Sequence, residues 1–439
     1  MTAKKYARYK ESGVEWLNCV PDHWTLRRLG YYFEERREKV SDADFIALSV
    51  TKSGIVPQLE TAAKTDDGDN RKRVAVGDFV INSRSDRKGS SGVSDLDGSV
   101  SLINTVLIPR DELRGRFVHH LLRSTVFQEE YYRFGRGIVA DLWSTNYSEM
   151  RNIQLAVPPI DEQIAISDYL DVETAKVNAL VEEQRRLIEL LKEKRRAVVS
   201  NCVTKGLNTT VPMKDSGVDG LGKVPSHWTI APLGCRYSVQ LGKMLDTSRI
   251  TGQNLRPYLR VFDVQWGCIN TEDLPRMDFS KQEREKFQLM PGDLLVNEGG
   301  SYPGRSAIWR GELVDCYYQK ALHRLRANQV QHDTSEFLFY VMLWAADRGV
   351  FRAGGNEATI EHLPAEKLRR YRLPFPPINE QKSIAEFLSS VTSRFDALIE
   401  EASSAMLLLQ ERHSAIVSAA VTGKIDVRGL VPQPEAVAI

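Results

Sequence analysis

Two long stretches of this chain carry apolar residues at alternating spacings of three and four. The first holds Val177, Leu180, Leu187, Leu191 and Val198, and the second repeats the offsets with Phe395, Leu398, Ala405, Leu409 and Ile416. That spacing predicts a coiled-coil seam on two helices in matching register. Gln184 and Lys194 interrupt the first seam, with Ala402 and Arg412 at the corresponding places of the second, so looser packing is expected there. A proline pair precedes each stretch, in VPPIDEQ from Val157 and FPPINEQ from Phe375. Proline disfavours helix in the residue before it, so each pair ends an extended segment. Asp161 and Asn379 are then suitable N-caps, and Glu162 and Glu380 suit the positive end of the helix dipole. Roughly 40 residues at 1.5 Å each make a rod of about 60 Å. Packing of each helix on its own domain alone is the competing reading.

Ahead of each rod the pattern changes. DFVIN from Asp78, LINTVLI from Leu102, PYLRVFDV from Pro257 and DLLVNE from Asp293 read as short strands, with Gly77-Asp78 and Gly292-Asp293 as the turns that introduce two of them. The segments FVHHLLRSTVFQEEYYRF and SEFLFYVMLWAADRGVF have helical periodicity. The front portions are therefore mixed α/β.

Front and rear portions both occur twice. SGVEWLNCVPDHWTLRRLG from Ser12 answers SGVDGLGKVPSHWTIAPLG from Ser216, an offset of 204. VGDFVIN and PGDLLVN stand 215 apart. The proline pairs stand 218 apart, and so do RRAVVSNCVTKG from Arg195 and HSAIVSAAVTGK from His413. The second copy thus gained residues only in its front portion, 11 before the Gly-Asp mark and three after it. Each half has a variable front and a rear of fixed spacing.

Composition narrows the function classes. With 439 residues, 42% hydrophobic and 27% charged, the chain is long enough for several cores and has no apolar run of membrane-spanning length. The opening MTAKKYARYKESGVEW lacks the apolar stretch of a signal peptide, and the five cysteines show no C-x-x-C spacing, so a cytoplasmic, reducing setting is expected. A net charge of +1 argues against a simple nucleic-acid binder, but local clusters such as Arg71 to Arg73 and Arg84 to Lys88 weaken that objection. No phosphate-binding G-x-x-x-x-G-K-[ST], G-x-G-x-x-G, N-P-P-[YF], H-E-x-x-H or nucleophile triad is present. Neither catalysis nor a metal is expected of this chain.

Two variable portions, each followed by P-P-x-x-E-Q and a long helix and each opened by V-P-x-H-W (Val20 to Trp24, Val224 to Trp228), resemble the specificity subunit of type I restriction–modification systems. The resemblance runs from Ser12 to about Val427. It implies two α/β (α+β) target recognition domains, separated by a long antiparallel two-helix coiled coil with pseudo-twofold internal symmetry. The corresponding division is recognition domain 1 at 1–157, a central helix at 158–206, recognition domain 2 at 207–375, a C-terminal helix at 376–427 and a tail at 428–439. It also implies a non-catalytic subunit that binds a split double-stranded DNA target. Two modification subunits would bring S-adenosylmethionine and methylate adenine N6, and restriction/translocase subunits would bring ATP and Mg. Half-sites on one DNA face lie about 34 Å apart, which a rod of about 60 Å is able to span.

Base edges and phosphates are met by Arg, Lys, Asn, Gln and Ser side chains. The candidates for DNA contact are Asn82, Ser83, Arg84, Arg87 and Lys88 after the first Gly-Asp strand, and Arg136 in GRG. Tyr302, Arg305, Gln319 and Lys320 are their counterparts in the second half. AGGN at Ala353 to Asn356 is a second phosphate-loop candidate beside GRG. Pro158, Pro159, Glu162, Gln163 and Pro376, Pro377, Glu380, Gln381 are expected to set the helix starts and a partner-binding surface. A coiled-coil scaffold that binds only proteins, and a single-chain restriction–methylation enzyme, are the rival readings. The second would need methyltransferase and nuclease motifs that the chain lacks.

Overall fold

The structure is a computed structural model that describes residues 4–59, 68–137, 143–245, 252–299, 303–351 and 362–430. Its contacts divide the chain into two compact units, Met1–Arg185 with Ser403–Ile439, and Arg186–Ala402. This division cuts through the long helices rather than at their starts. The first long helix, Ile160–Lys205, has 46 residues, and the second, Ile378–Val421, has 44. Both begin two residues earlier than Asp161 and Asn379 would require as caps. Pro159 carries the first carbonyl of its helix, which accepts from the Glu162 and Gln163 N–H groups, both 3.0 Å away. Asp161 instead adds negative charge to the first turn, where the dipole favours it.

In the first unit a four-stranded antiparallel sheet runs in the order Phe33–Glu35, Asn104–Pro109, Phe79–Asn82, Ser91–Val93. In the second the order is Tyr237–Leu241, Leu322–Ala327, Leu294–Asn297, Ser306–Ile308, the same four strands by sequence position. Both sheets rest on the Gly-Asp mark. Gly77 and Gly292 take φ of +91° and +93°, which a side chain disfavours. Asp78 and Asp293, both buried, accept from the backbone N–H three residues back and from an arginine: Arg36 at 2.7 Å in one unit, Arg326 at 2.6 Å in the other.

One short ladder ties the beginning and end of each front portion together. Thr25–Arg28 pairs with Gln154–Val157, and Thr229–Pro232 with Arg372–Phe375. The segment FVHHLLRSTVFQEEYYRF is two helices, Gly115–Arg123 and Thr125–Arg133, because Ser124 leaves helical geometry and accepts from the Phe127 N–H. Its counterpart Ser335–Asp347 is unbroken, capped by Thr334. The sheets that flank the shared four strands differ. The first unit has three strands at 39–40, 71–74 and 98–100, while the second pairs Tyr258 and Leu259 in parallel with Tyr317 and Tyr318. The extra residues of the second copy lie here.

The long helices pair in opposite directions within each unit. In the first, Ile166 and Leu170 share a core with Val417, Ala420 and Val421, while Thr174 Oγ1 meets His413 Nε2 at 2.8 Å. In the second, Val199, Cys202 and Val203 share a core with Ile384, Ala385 and Leu388, and Arg195 lies 3.0 Å from Asp396. Partner numbers fall as first-helix numbers rise in both cases. The covered seam is residues 170, 174, 177, 181, 184, 188, 191, 195, 198 and 202 on the first helix, a strict alternation of four and three. On the second it is 388, 392, 395, 399, 402, 406, 409, 413, 416 and 420.

Part of the seam expected from periodicity is corrected by this. Val177, Leu191 and Val198 lie on it, as do Phe395, Leu409 and Ile416, but Leu180, Leu187 and Leu398 are 43%, 42% and 47% exposed. Ala405, Lys194 and Arg412 are likewise off the seam, and Gln184 and Ala402 belong to it. Two adjacent apolar stripes exist on each helix, and Leu170 in the domain core sets the phase that chooses between them. Among the described residues no helix is long and apolar enough to cross a membrane, and no group of three His, Cys, Asp or Glu is arranged to hold a metal.

Candidate nucleic-acid interface

The frame residues of the proline motif are turned inward. Gln163 is fully buried. Its Oε1 accepts from the Arg114 N–H at 2.9 Å, and its Nε2 donates to the carbonyls of Glu112 at 2.8 Å and Pro158 at 3.0 Å. Gln381 repeats this with the Thr334 N–H at 3.0 Å and the carbonyls of His332 and Pro376, both at 2.9 Å. One amide side chain thus fastens the turn before the next front-portion helix to the start of the long helix. A glutamine fits because it donates and accepts from a single buried group.

The neighbouring glutamates meet the V-P-x-H-W openings. Glu162 accepts from Trp24 Nε1 at 2.9 Å, contacts His23 Nε2 at 2.7 Å and accepts from the Tyr6 hydroxyl. Burial and this carboxylate hold the Tyr6 hydroxyl well above the usual phenol range, so it remains the donor. Glu380 contacts His227 Nε2 at 2.8 Å. The openings also receive the end of a long helix. Gly423 sits against Pro21 and Trp24, and Gly206 against Trp228, each at positive φ. Pro158 and Pro376 are buried at the bend, and Pro159 and Pro377 are exposed beside it.

The sheet end beyond the Gly-Asp strands carries the loops. Their roots are equivalent bond for bond. The Asn82 N–H donates to the Ser90 carbonyl and that of Asn297 to the Arg305 carbonyl, at 3.0 and 2.8 Å. Ser83 donates to Ile103 as Glu298 does to Ala321, at 3.1 and 3.0 Å. The carbonyls of Ser83 and Glu298 then accept from Thr145 and Leu363. Three loops are therefore gathered at one end of each sheet by the same backbone bonds, whatever their tips contain.

In the first unit the tips are cationic. Arg84, Arg87 and Lys88 are exposed, and Arg136 is 83% exposed in side chain. Arg84 and Arg136 both pair through backbone with Ser144, which brings two sequence-distant candidates to one place. Lys88 lies over the Tyr132 ring at 5.3 Å, and Arg87 is 3.6 Å from Asp86. Asn82 and Ser83 are buried and serve the turn instead: Asn82 Oδ1 accepts from the Arg84 N–H, and Ser83 Oγ donates to the Ile103 carbonyl.

The second unit is built from different residues. Arg305 is half-buried and donates to Gln265, from the hairpin Val264–Gln265 with Cys268–Ile269. Lys320 is exposed, Gln319 is half-buried, and both are tied to Lys243 through the backbone. Tyr302 and the AGGN segment at 353–356 lie outside the described residues. Sequence reasoning missed Ser144, Thr145 and Leu363, the segments that draw the loops together, and Lys243. The 218-residue offset between Thr145 and Leu363 was the available signal.

Comparison with known proteins agrees with this architecture. Residues 269–406 match the family described as the type I restriction modification DNA specificity domain. A putative type I restriction enzyme MjaX specificity subunit of Methanocaldococcus jannaschii is 22% identical over 416 residues, 91% of this chain and 88% of that protein. The type I restriction enzyme EcoKI specificity subunit of Escherichia coli K12 is 19% identical over 336 residues, 75% of this chain and 70% of that one. In fold, the chain resembles the HsdS subunit from Thermoanaerobacter tengcongensis, with a TM-score of 0.56 at 17% identity, over 94% of this chain and 100% of that one. A chain solved in work on complex assembly and conformational transition of the type I R-M system gives a TM-score of 0.67 at 18% identity, over 92% and 98%. With its doubled frame, the chain is similar in sequence and in fold to the specificity subunits of type I restriction–modification systems.

Proposed function

We propose that this chain reads a bipartite, asymmetric DNA target with a non-specific spacer and directs adenine-N6 methylation and restriction by partner subunits. The observation that carries this reading is the pairing of identical loop roots with unlike loop tips. Shared roots aim each set of loops from the same end of its sheet. Unlike tips, arginine and lysine in one unit and Arg305, Gln319 and Lys320 in the other, favour different base sequences. Each long helix contributes residues to both units, so its length would set the spacer between the two words. A 46-residue helix is roughly 69 Å long, and removal of one heptad would shorten it by about 10 Å.

The reacting groups belong to the partners. S-adenosylmethionine would sit in two modification subunits, and ATP with Mg in the restriction subunits. The outward leucines, Leu180, Leu187, Leu190, Leu398, Leu407 and Leu408, are exposed apolar side chains on the long helices and suit helix packing by such partners. Replacing Leu407 and Leu408 by lysine is expected to weaken co-purification with the modification subunit while leaving the unfolding midpoint unchanged.

Methylome sequencing of cells that express the chain with its modification partner tests the reading. Methyl marks in two short words at fixed separation are expected. Marks within one uninterrupted word would overturn it, and binding to protein partners with no salt-sensitive binding to duplex DNA would favour the scaffold instead.

A further inference from the structure

Where the first front portion meets the helix pair, three histidines converge. His119 and His120 come from helix Gly115–Arg123, and His413 from the second long helix. His120 Nε2 lies 2.7 Å from Asp171 of the first long helix, and His413 Nε2 lies 2.8 Å from Thr174 Oγ1. His119 Nε2 faces the Arg123 guanidinium, which also donates to the Lys52 carbonyl. A guanidinium has only donors, so the His119 ring must accept and is neutral. The same junction holds Arg116, paired with Asp168 at 2.8 Å and with Asp171. Glu173 is the remaining charge that acts on His413. The cluster therefore sets three imidazoles and two guanidiniums against Asp168, Asp171 and Glu173. Arg116 already takes up the first two of these carboxylates.

The second unit has the same junction without the histidines. Aligned through Gln163 and Gln381, His119 and His120 correspond to Phe339 and Tyr340, Arg123 to Leu343, and Asp171 to Ser389. The 218-residue offset equates His413 with Arg195 and Thr174 with Thr392. The groove there is lined by Phe339, Tyr340, Leu343, Lys382 and Glu386, with no histidine among the described residues that line it.

We propose that the histidine trio is an acid-released latch confined to the first unit: proton uptake places new positive charge beside Arg116 and Arg123 and frees helix Gly115–Arg123 from the helix pair. Burial pushes all three rings below the ordinary imidazole range, His119 down to about 4 with Arg123 as the second cause. The neutral rings therefore favour the closed junction fully above about pH 6.5, and that preference is lost as pH falls toward 4. His119 alone makes release roughly 20-fold easier at pH 5 than at neutral pH.

Hydrogen exchange of the full chain at about pH 7.5 and pH 5, corrected for the chemical exchange rate, tests the latch. Protection of residues 115–123 should drop by at least 10-fold while residues 335–347 keep theirs. In a His119→Phe, His120→Tyr variant the drop should shrink to a few-fold. An equal loss in both helices, or a full loss in the variant, would overturn the proposal. Should the variant not fold, the ring signals of the unaltered chain decide. Three histidines titrating well below 6.5 support the latch, and none doing so sinks it.

Discussion

The two units use one frame and close it differently. In the second unit the chain runs on from Lys205 through Gly206 into the strand Met213–Asp215, so the helix end and the V-P-x-H-W opening are covalently joined. In the first unit the same place is occupied by two segments far apart in sequence, 4–9 and 424–428. Lys4 pairs with Asp426, the Tyr9 hydroxyl bonds to the Lys424 carbonyl, Val427 is buried, and Arg428 lies 5.1 Å from the Tyr6 ring. Glu162 correspondingly has partners that Glu380 lacks: Tyr6 and Trp24 in addition to the histidine. The Trp228 indole N–H has no such acceptor among the described residues. Non-covalent contacts around a buried carboxylate thus do in one unit what a peptide bond does in the other.

The largest test strikes what the units share. Gln163→Leu removes the buried side-chain partner of one N–H and two carbonyls, and Gln381→Leu does the same in the other unit. Each is expected to cost about 3 kcal/mol. Denaturant unfolding should show similar losses for both, and a negligible loss in either would mean that the shared fastening is not a fastening.

Next come the glutamates, where the units should part. Glu162→Gln weakens three contacts at a buried carboxylate and is expected to cost about 2 kcal/mol. Glu380→Gln weakens one contact at a carboxylate that is 26% exposed, and is expected to cost under about 1 kcal/mol. Equal losses would remove the argument that the first unit relies on its carboxylate where the second has a continuous chain.

Much of this was legible because repetition exposes what the frame requires. The proline pairs, the E-Q that follows and the V-P-x-H-W openings mark the residues that meet in space. The sequence could not say that they meet, since the contacts join segments about 140 residues apart. The Gly-Asp mark was legible as a turn, but its arginine was not, because Arg36 and Arg326 occupy unrelated places in their copies. Loop tips were legible only as polar. The seam was half legible, since Leu180 and Val181 are adjacent and both apolar, and only the tertiary core fixes which faces inward.

The seam supplies the third test. Val181→Asn and Ile399→Asn put an amide on the covered stripe and are expected to cost about 2 kcal/mol each. Leu180→Asn and Leu398→Asn, one residue earlier on the outward stripe, should stay within about 0.5 kcal/mol. The reverse order would restore the stripe that periodicity alone suggested.

The smallest effect on stability and the sharpest on function is expected at the loop tips. Arg84 and Arg136 are exposed, and their backbones, not their guanidiniums, hold the loops to Ser144. Arg84→Ala and Arg136→Ala should therefore leave unfolding unchanged within about 0.5 kcal/mol. In the assembled complex, loss of a phosphate contact lowers the slope of log affinity against log salt by about one, equally for every sequence. Loss of a base contact leaves that slope alone and relaxes one position of the target, at about 1–3 kcal/mol. Either outcome should touch only one of the two words in the methylome, because Ser144 gathers these arginines within the first unit. A change in both words at once would mean that the tips of one unit are not a separate reader.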